Sequence, residues 1–485
     1  MAEPSFTRAV GRNTIIQFVG KVGSTMLGLV TVAMIQRYLE PAGFGAYTTA
    51  MAYLGFFSVL ADLGLYVLLV RELAKPEADA DFVAGNLLGL RWVSVVVILS
   101  IGTGLVFLLP YEAEVRQAVA VGVLAYVAIA ATQLLVAIYQ KHLAMARVVT
   151  GEIISRVAWL IGSWLVIHYA GGLSALMAVV VVANGLLLIT LWGAARKFIS
   201  LRPRYDKKYW LYLLRETWPI AVSVVLNLIY FRADTLILAW LRSSYEVGLY
   251  GAAYKVLEIL NTFPLMFVGL LLPALGVAYA GQDRERFVRL YQRGFGLLAM
   301  AALPLVVGGW ILAEPILVLI GQQAYAPAAP ILRLLLIAVA ALYMNSLSGH
   351  VVTVIGRQRQ MVWAYLAVAV IGLATYLTLI PMYGTRGAAI GTIVTESLTA
   401  IIGSIMVLRV IHFRLDIRGL LKTLVAATAM GVVVWALREQ SLYLPVLVGG
   451  MAYVVMLLVT KAVPPQQLRE IFSLRGAGTS ESTTV

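Results

Sequence analysis

The stretch Phe44-Gly45-Ala46-Tyr47 returns 203 residues later in the chain as Val247-Gly248-Leu249-Tyr250. In the same register Arg12 aligns with Arg215. Six predicted membrane-spanning segments separate the two copies, and an even number brings the chain back to the same side of the membrane. The pattern therefore predicts a parallel repeat, whose two copies are related by an axis along the membrane normal.

Long apolar segments surround both copies of the repeat. The chain has 485 residues, of which 61% are hydrophobic, and its mean hydropathy is +0.90. About 20 apolar residues cross a bilayer as a helix, and a soluble chain would not expose this much apolar surface. The sequence therefore predicts an all-α polytopic membrane protein with about 14 transmembrane helices. The predicted spans are 12–37, 43–70, 84–109, 116–138, 147–168, 172–195, 211–241, 246–278, 287–312, 328–355, 359–380, 386–408, 418–437 and 442–460.

The distribution of basic residues predicts the orientation of these helices. With a cytoplasmic N-terminus, the cytoplasmic tails and loops hold 25 Lys and Arg residues and the opposite side holds four. Cytoplasmic loops of membrane proteins carry such an excess of Lys and Arg. A single miscounted helix would disturb the alternation along the rest of the chain. We therefore expect both termini to be cytoplasmic.

The repeat and the topology together predict the domain organisation. Residues 1–198 form an N-terminal lobe of six helices, and 199–409 form a C-terminal lobe of six helices. Residues 410–463 add two further helices, and 464–485 form a polar, disordered cytoplasmic tail. The basic loop between the lobes, 196–208, is interpreted either as a hinge or as an anchor to anionic lipid.

Several classes of function are disfavoured by the composition. The net charge is +14, but no basic run is interleaved with aromatic residues, so no nucleic-acid partner is expected. The absence of cysteine excludes thiolate metal sites and cysteine nucleophiles. No GxxxxGK loop is present, which disfavours ATP hydrolysis. We expect a transporter with no catalytic residue, metal or cofactor.

Eight basic residues fall inside the predicted spans. A cation at the centre of a bilayer costs about 2.5–3.5 kcal/mol, and such residues face a bundle interior or a watery cavity. A cationic interior indicates an anionic cargo. The eight residues are Lys21, Arg37, Arg91, Arg156, Arg215, Arg232, Lys255 and Arg333.

Five of these cations are candidates for binding the cargo in a central cavity; the other three lie near span ends and are interpreted as interfacial. The five candidates are Lys21, Arg91, Arg156, Arg232 and Lys255. The alternative for Lys21 is a side chain extended to the cytoplasmic interface. The alternative for Arg156 is a neutral buried pair with Glu152, which precedes it by one helical turn.

Four acidic residues inside the spans are candidates for ion coupling or gating. They are Asp62, Asp234, Glu258 and Glu396. Lys255 and Glu258 have the spacing of a helical pair, whereas Arg232 and Asp234 point in different directions and each needs a partner elsewhere. Asp62 and Glu396 have no cation within reach on their own helix. The alternative for Asp62 is that it caps a helix break before Gly64.

Two stretches of the chain resemble a known family. The first is Arg12-Asn13-Thr14 with Tyr38-Leu39-Glu40-Pro41-Ala42-Gly43-Phe44-Gly45-Ala46-Tyr47. The second is Arg232-Ala233-Asp234-Thr235-Leu236-Ile237-Leu238 with Glu246-Val247-Gly248-Leu249-Tyr250-Gly251-Ala252-Ala253-Tyr254-Lys255. Both resemble polysaccharide and O-antigen flippases, the Wzx-type branch of the multidrug/oligosaccharidyl-lipid/polysaccharide (MOP) exporter superfamily.

The resemblance implies a function as well as a MATE-like fold of two parallel lobes. The implied function is translocation of a polyprenyl-pyrophosphate-linked oligosaccharide from the cytoplasmic to the outer leaflet of the plasma membrane. It implies lipid and the lipid-linked glycan as partners, together with polysaccharide-assembly proteins of the O-antigen or lipopolysaccharide type. The membrane potential or a gradient of H⁺ or Na⁺ would drive the transport.

Three alternatives stay open. The first is an ion-coupled exporter of drugs or organic cations, which the excess of intramembrane cations disfavours. The second is a flippase of a lipid-linked peptidoglycan precursor, whose cargo also carries pyrophosphate. The third is an O-antigen polymerase or ligase, which would need a large outer loop. The longest predicted outer loop, near 322–330, has about ten residues.

Overall fold

The structure is a computed structural model that describes residues 4–62, 64–73, 75, 79–142, 144–198, 202–413 and 417–462. Side chains are described from Val19 onward, except at several positions between 219 and 231. Of these described residues, 89% are helical and none lies in a strand. The all-α fold class is confirmed. The predicted tail 464–485 lies outside the described residues.

Seven helices make up the first half of the chain. They are α1 Pro4–Asp62, α2 Leu65–Leu73, α3 Ala80–Val106, α4 Ala113–Lys141, α5 Met145–His168, α6 Leu173–Ala195 and α7 Lys207–Leu241. Glu40 breaks α1 with φ 54° and ψ 178°, directly before Pro41. Proline lacks the amide hydrogen that a continuous helix needs at this point. The break falls between the predicted spans 12–37 and 43–70.

Eight further helices follow. They are α8 Ser244–Ala280, α9 Arg284–Ile311, α10 Ala313–Gly321, α11 Ala329–Val354, α12 Gln358–Tyr383, α13 Thr385–Ile411, α14 Ile417–Ala436 and α15 Tyr443–Val459. A short 3-10 helix, Gln323–Ala328, precedes α11.

Eleven helices of the described chain are long and apolar enough to cross a membrane, judged by length and composition. This number treats Val19–Leu73 as one span, although it contains the break at Glu40. It also leaves out α15, which has 17 residues. The polytopic membrane class is confirmed, and the exact count of fourteen stays a prediction.

The chain forms two compact units. The first comprises Met1–Ala252, Ile320–Tyr325 and Tyr365–Gly391, and the second comprises Ala253–Leu319, Ala326–Ala364 and Thr392–Val485. The predicted lobe boundaries at 198 and 409 stay predictions.

A core of leucine, alanine and valine side chains holds the first unit together. Fully buried leucines on α2, α3 and α4, among them Leu68, Leu87 and Leu134, pack with Leu191 of α6 and Leu213 of α7. Inside a bilayer, close packing of such apolar side chains is the main source of attraction between helices.

In the second unit, the two last helices pack on α9. Met430 and Val434 of α14 and Tyr453 of α15 form a buried cluster with Leu312. The Tyr453 hydroxyl donates a hydrogen bond of 2.7 Å to the carbonyl of Met300, so its polar end is satisfied within the helix bundle.

The segment that connects α6 and α7 lies directly on α3. The amide of Arg204 donates to the carbonyl of Gly85 (2.8 Å), and the amide of Asp206 donates to Oδ1 of Asn86 (2.8 Å). A Cβ placed on Gly89 would lie 2.5 Å from the carbonyl oxygen of Arg204, so only glycine admits the connecting chain here. The described part of the connection is therefore bound to α3 along its backbone.

Candidate functional site

Arg156 lies on the exposed surface of α5 and faces α1. A Cβ built on Gly28 of α1 would be 3.6 Å from Nη1 of Arg156. The Cζ atom of Arg156 is 5.3 Å from the ring centroid of Trp159, at a distance where a cation and a ring attract each other. Arg156 also interacts electrostatically with Tyr47 of the repeat motif.

The alternative interpretation of Arg156, an ion pair with Glu152, does not occur in the structure. Both residues are described, and no oxygen of Glu152 lies within 4.0 Å of the guanidinium in the salt bridges of the described chain. The guanidinium extends instead toward Gly28 and Trp159. Its positive charge therefore has no carboxylate partner on its own helix.

Lys21 shares a helix face with Gly28, because seven residues make two helical turns. Gly20 packs against Val149, and Gly28 packs against Arg156, so α1 and α5 run in the same direction along this contact. The side chain of Lys21 is exposed. Lys21 therefore lies about 10 Å along the helix axis from the level of Arg156, on the face of α1 that Arg156 covers.

Arg91 is buried in an ion pair with Asp62. Its side chain is 2% exposed, and Nη1 lies 2.5 Å from Oδ1 of Asp62. Nη2 donates to Oε1 of Gln133 (2.7 Å), and further donors reach the carbonyls of Ala61 and Ala130. These bonds occupy the guanidinium of Arg91 and one Asp62 oxygen. Asp62, which has no cation within reach on its own helix, pairs with Arg91 of α3.

Asp234 is buried between α7 and α8. Its Oδ2 accepts a hydrogen bond of 2.6 Å from the hydroxyl of Tyr250, and its Oδ1 accepts one of 2.6 Å from the amide of Thr235. Arg232 is half-buried and interacts electrostatically with the same carboxylate. The partner that Asp234 requires comes from the repeat motif on α8.

The remaining candidates lie in the second unit. Lys255 and Glu258 form the ion pair that their spacing predicts, with Nζ 2.6 Å from Oε2 and side chains 38% and 30% exposed. Glu396 is buried on α13, and Nδ2 of Asn345 lies 3.4 Å from its Oε2. The roles of these three residues in ion coupling or binding stay predictions.

A cluster of charged and aromatic residues joins α2 to α7, and the sequence did not single it out. Glu72 is buried and pairs with Lys75 (2.6 Å), and it accepts a hydrogen bond from the Tyr212 hydroxyl (3.2 Å). Arg71 pairs with Glu216 of α7. The bond to Glu72 raises the pKa of Lys75. The three-residue spacing of Glu72 and Lys75 was a signal that could have drawn attention to it.

The two copies of the repeat motif contact each other through their glycines. A Cβ on Gly45 would lie 1.7 Å from the carbonyl oxygen of Ser244, and one on Gly248 would lie 1.7 Å from that of Pro41. Pro41 and Ser244 are themselves 203 residues apart, so each copy makes the same contact to the other. A two-fold axis through the crossing produces this arrangement. Only residues without a side chain allow the backbones to come so close.

Comparison with known families agrees with this architecture. Residues 10–277 match the polysaccharide biosynthesis protein family, and residues 219–378 match the MatE family. The chain is 25% identical over 488 residues to the succinoglycan biosynthesis transport protein ExoT of Rhizobium meliloti, with 94% of each protein covered. It is 18% identical over 400 residues to a probable low-salt glycan biosynthesis flippase of Haloferax volcanii, with 81% of this chain and 82% of that protein covered.

Solved structures share the fold at low sequence identity. The lipid II flippase MurJ in an inward closed conformation superposes with a TM-score of 0.77 at 15% identity, covering 91% of this chain and 98% of MurJ. A multidrug resistance MATE family transporter of the MOP superfamily, in an inward-facing conformation, superposes with a TM-score of 0.68 at 15% identity. The match covers 80% of this chain and 94% of that transporter. The family match extends over more than half of the chain and includes both copies of the repeat motif. The chain therefore belongs to the polysaccharide biosynthesis protein family.

Proposed function

We propose that this protein flips a polyprenyl-pyrophosphate-linked oligosaccharide from the cytoplasmic to the outer leaflet of the plasma membrane. The observation that carries the proposal is the pair of exposed cations, Lys21 and Arg156, on one face of α1 and α5. Among the described side chains, neither cation has a carboxylate within 4.0 Å. Unpaired cations within apolar helices are costly, and a pyrophosphate would compensate them.

The relatives support a glycan as the cargo. One is named as a transport protein of succinoglycan biosynthesis and another as a glycan biosynthesis flippase. The MurJ neighbour, which shares the fold, is a flippase of lipid II. We infer that the sugars and the pyrophosphate pass along the cationic face while the polyprenyl chain stays in the bilayer.

No covalent step is needed for this transfer. A cargo with two negative charges gains about 5 kcal/mol when it moves outward across 100 mV, at about 2.3 kcal/mol per charge. We propose that the membrane potential supplies the direction, and that a coupled H⁺ or Na⁺ is dispensable. With the orientation inferred from the basic loops, both termini face the cytoplasm.

Alternating access would open and close two contacts between helices that the repeat assigns to different lobes. The crossing of Gly45 and Gly248 lies at the predicted outer ends of its helices. The cluster around Glu72 and Glu216 lies at the predicted cytoplasmic ends of α2 and α7. We propose that the first contact separates when the cargo leaves and the second when the cargo enters.

The test is a flipping assay with purified protein in liposomes that contain a fluorescent polyprenyl-pyrophosphate glycan. We expect protein-dependent translocation that accelerates when the outside is made positive. Lys21→Gln and Arg156→Gln should each slow it about tenfold or more, because a charge-assisted hydrogen bond contributes about 1.5–3 kcal/mol. Arg215→Gln, at an exposed position near the start of α7, is the matched control. Equal rates in all three variants would contradict the assigned site.

A lipid-linked peptidoglycan precursor is the second candidate cargo, supported by the overlap with MurJ. The same liposomes loaded with lipid II distinguish the two, since one substrate should be flipped much faster. Uptake of a cationic dye under an ion gradient, without any lipid flipping, would instead group the protein with multidrug resistance transporters such as the MATE family neighbour that shares its fold.

A further inference from the structure

A cavity of about 420 Å³ lies in the second unit, apart from the cations assigned to the cargo. It is a partly open cavity lined by the turn between α8 and α9 and by the end of α13. Its polar lining includes Asp283, Arg284 and His412, and its apolar lining includes Phe287, Val410 and Ile411. Its volume is within the range of small-molecule sites.

Arg284 is held in a fixed position at the wall of this cavity. Its Nε donates to the carbonyl of Ile411 (2.8 Å), and its Nη2 donates to the carbonyl of His412. His412 has a left-handed backbone, with φ 56°, which turns its carbonyl toward the guanidinium. Carbonyls orient the guanidinium but do not neutralise its charge. Among the described residues, no carboxylate oxygen lies within 4.0 Å of Arg284.

Asp283 brings the opposite charge to the same cavity. Its Oδ1 accepts a hydrogen bond from the amide of Arg286 (2.9 Å) and so caps the N-terminus of α9. Asp283 and Arg284 are neighbours in the chain and both line the cavity, yet they do not form an ion pair with each other. The cavity therefore offers a separate anionic and cationic group to one ligand.

The position of the cavity indicates what kind of ligand reaches it. α8 ends at Ala280 and α13 ends at Ile411, both at the limit of long apolar segments. The ends of such segments lie at the level of the lipid headgroups. Phe287, Val410 and Ile411 would meet the start of an acyl chain, whereas the charged groups would meet the headgroup.

We propose that this cavity binds the headgroup of a zwitterionic aminophospholipid of the phosphatidylethanolamine type. Arg284 and His412 contact the phosphate, and Asp283 accepts hydrogen bonds from the primary ammonium. A choline headgroup lacks the N–H donors that Asp283 would accept, and a glycerol headgroup lacks the positive charge. The site is therefore selective for the ethanolamine headgroup over both.

The test is native mass spectrometry of the full-length protein in detergent with short-chain phosphatidylethanolamine, phosphatidylcholine or phosphatidylglycerol. We expect one phosphatidylethanolamine to be retained preferentially by the wild type. Arg284→Gln should lower its retention about tenfold, the effect of losing one charge-assisted contact. Asp283→Asn should abolish the preference for phosphatidylethanolamine over phosphatidylglycerol while leaving phosphate binding.

Two further variants separate a binding defect from a folding defect. His412→Asn keeps a residue that tolerates a left-handed backbone but removes the imidazole, so it should weaken retention in a protein that elutes normally from a sizing column. Arg289→Gln is the matched control, because Arg289 pairs with Glu285 on the exposed surface of α9. Equal retention of all three lipids by the wild type, or by wild type and Arg284→Gln alike, would overturn the proposal. Retention of added inorganic phosphate in place of the lipid would also overturn it.

Discussion

Two arginines in the middle of apolar helices, Arg91 and Arg156, differ in what surrounds them. Arg91 gives its hydrogen-bond donors to Asp62, Gln133 and two carbonyls, and it is buried. Arg156 is exposed and lies against a glycine and an indole ring. The first arrangement holds α3 between its neighbours, and the second leaves a cation accessible to a ligand. We therefore expect Arg91 and Asp62 to stabilise the packing of α1, α3 and α4, and their roles in cargo binding and ion coupling stay predictions.

Removing one partner of the buried pair should destabilise the protein strongly. Asp62→Asn leaves a buried guanidinium without its counter-charge, which costs about 3–5 kcal/mol. We expect a clear drop in the melting temperature of the protein in detergent, measured by tryptophan fluorescence. Adding Arg91→Gln to Asp62→Asn should recover part of the loss, because the two changes are coupled.

The exposed pair Glu285 and Arg289 provides the comparison for this experiment. Such a pair contributes about 0–1 kcal/mol, so Glu285→Gln should shift the melting temperature little. If Asp62→Asn were as mild as Glu285→Gln, the pair of Asp62 and Arg91 would not be a structural element.

At the scale of the helices, glycine positions decide which elements come into backbone contact. Gly387 of α13 packs on the carbonyl of Leu379 of α12. Gly85 and Gly89 of α3 contact the backbone of the segment that connects α6 to α7. Small residues spaced four apart, such as Gly85 and Gly89, favour close packing of a neighbouring element. The sequence does not reveal that an extended segment, rather than a helix, occupies the groove of Gly85 and Gly89.

The crossing of Gly45 and Gly248 should tolerate no side chain at either position. In Gly45→Ala and Gly248→Ala, the new Cβ would overlap a backbone carbonyl that has no rotamer to change. We expect both variants to lower the melting temperature, and by similar amounts because the contacts are symmetric. Gly185→Ala, where nothing lies within 4 Å, should be neutral or slightly stabilising. Unequal effects of the two crossing variants would argue against a symmetric contact.

For the whole molecule, the distribution of Lys and Arg predicts the orientation in the membrane. Because the chain contains no cysteine, a single introduced cysteine can be labelled without background. The two probe positions are Ser441, between α14 and α15, and Gln358, at the start of α12. Both are exposed.

An impermeant maleimide should label Ser441→Cys in intact cells, and it should label Gln358→Cys only after the membrane is permeabilised. This result follows if both termini are cytoplasmic, since the basic loops then lie on the inner side. Labelling of Gln358→Cys in intact cells would reverse the proposed orientation, and with it the direction assigned to transport.

The sequence by itself determined the helices, their order and the class of the protein. Long apolar segments must satisfy their backbone hydrogen bonds internally, so the spans could be located from hydropathy, and the break at Glu40 from the following proline. The repeated motif that contains Gly45 and Gly248 could also be identified from the sequence.

Only the tertiary structure decided which charged side chains contact each other. Asp62 of α1 forms an ion pair with Arg91 of α3, whereas Glu152 and Arg156, which are one turn apart on α5, form no ion pair. Spacing along one helix limits which side chains can meet there, but contacts between helices depend on how their faces pack.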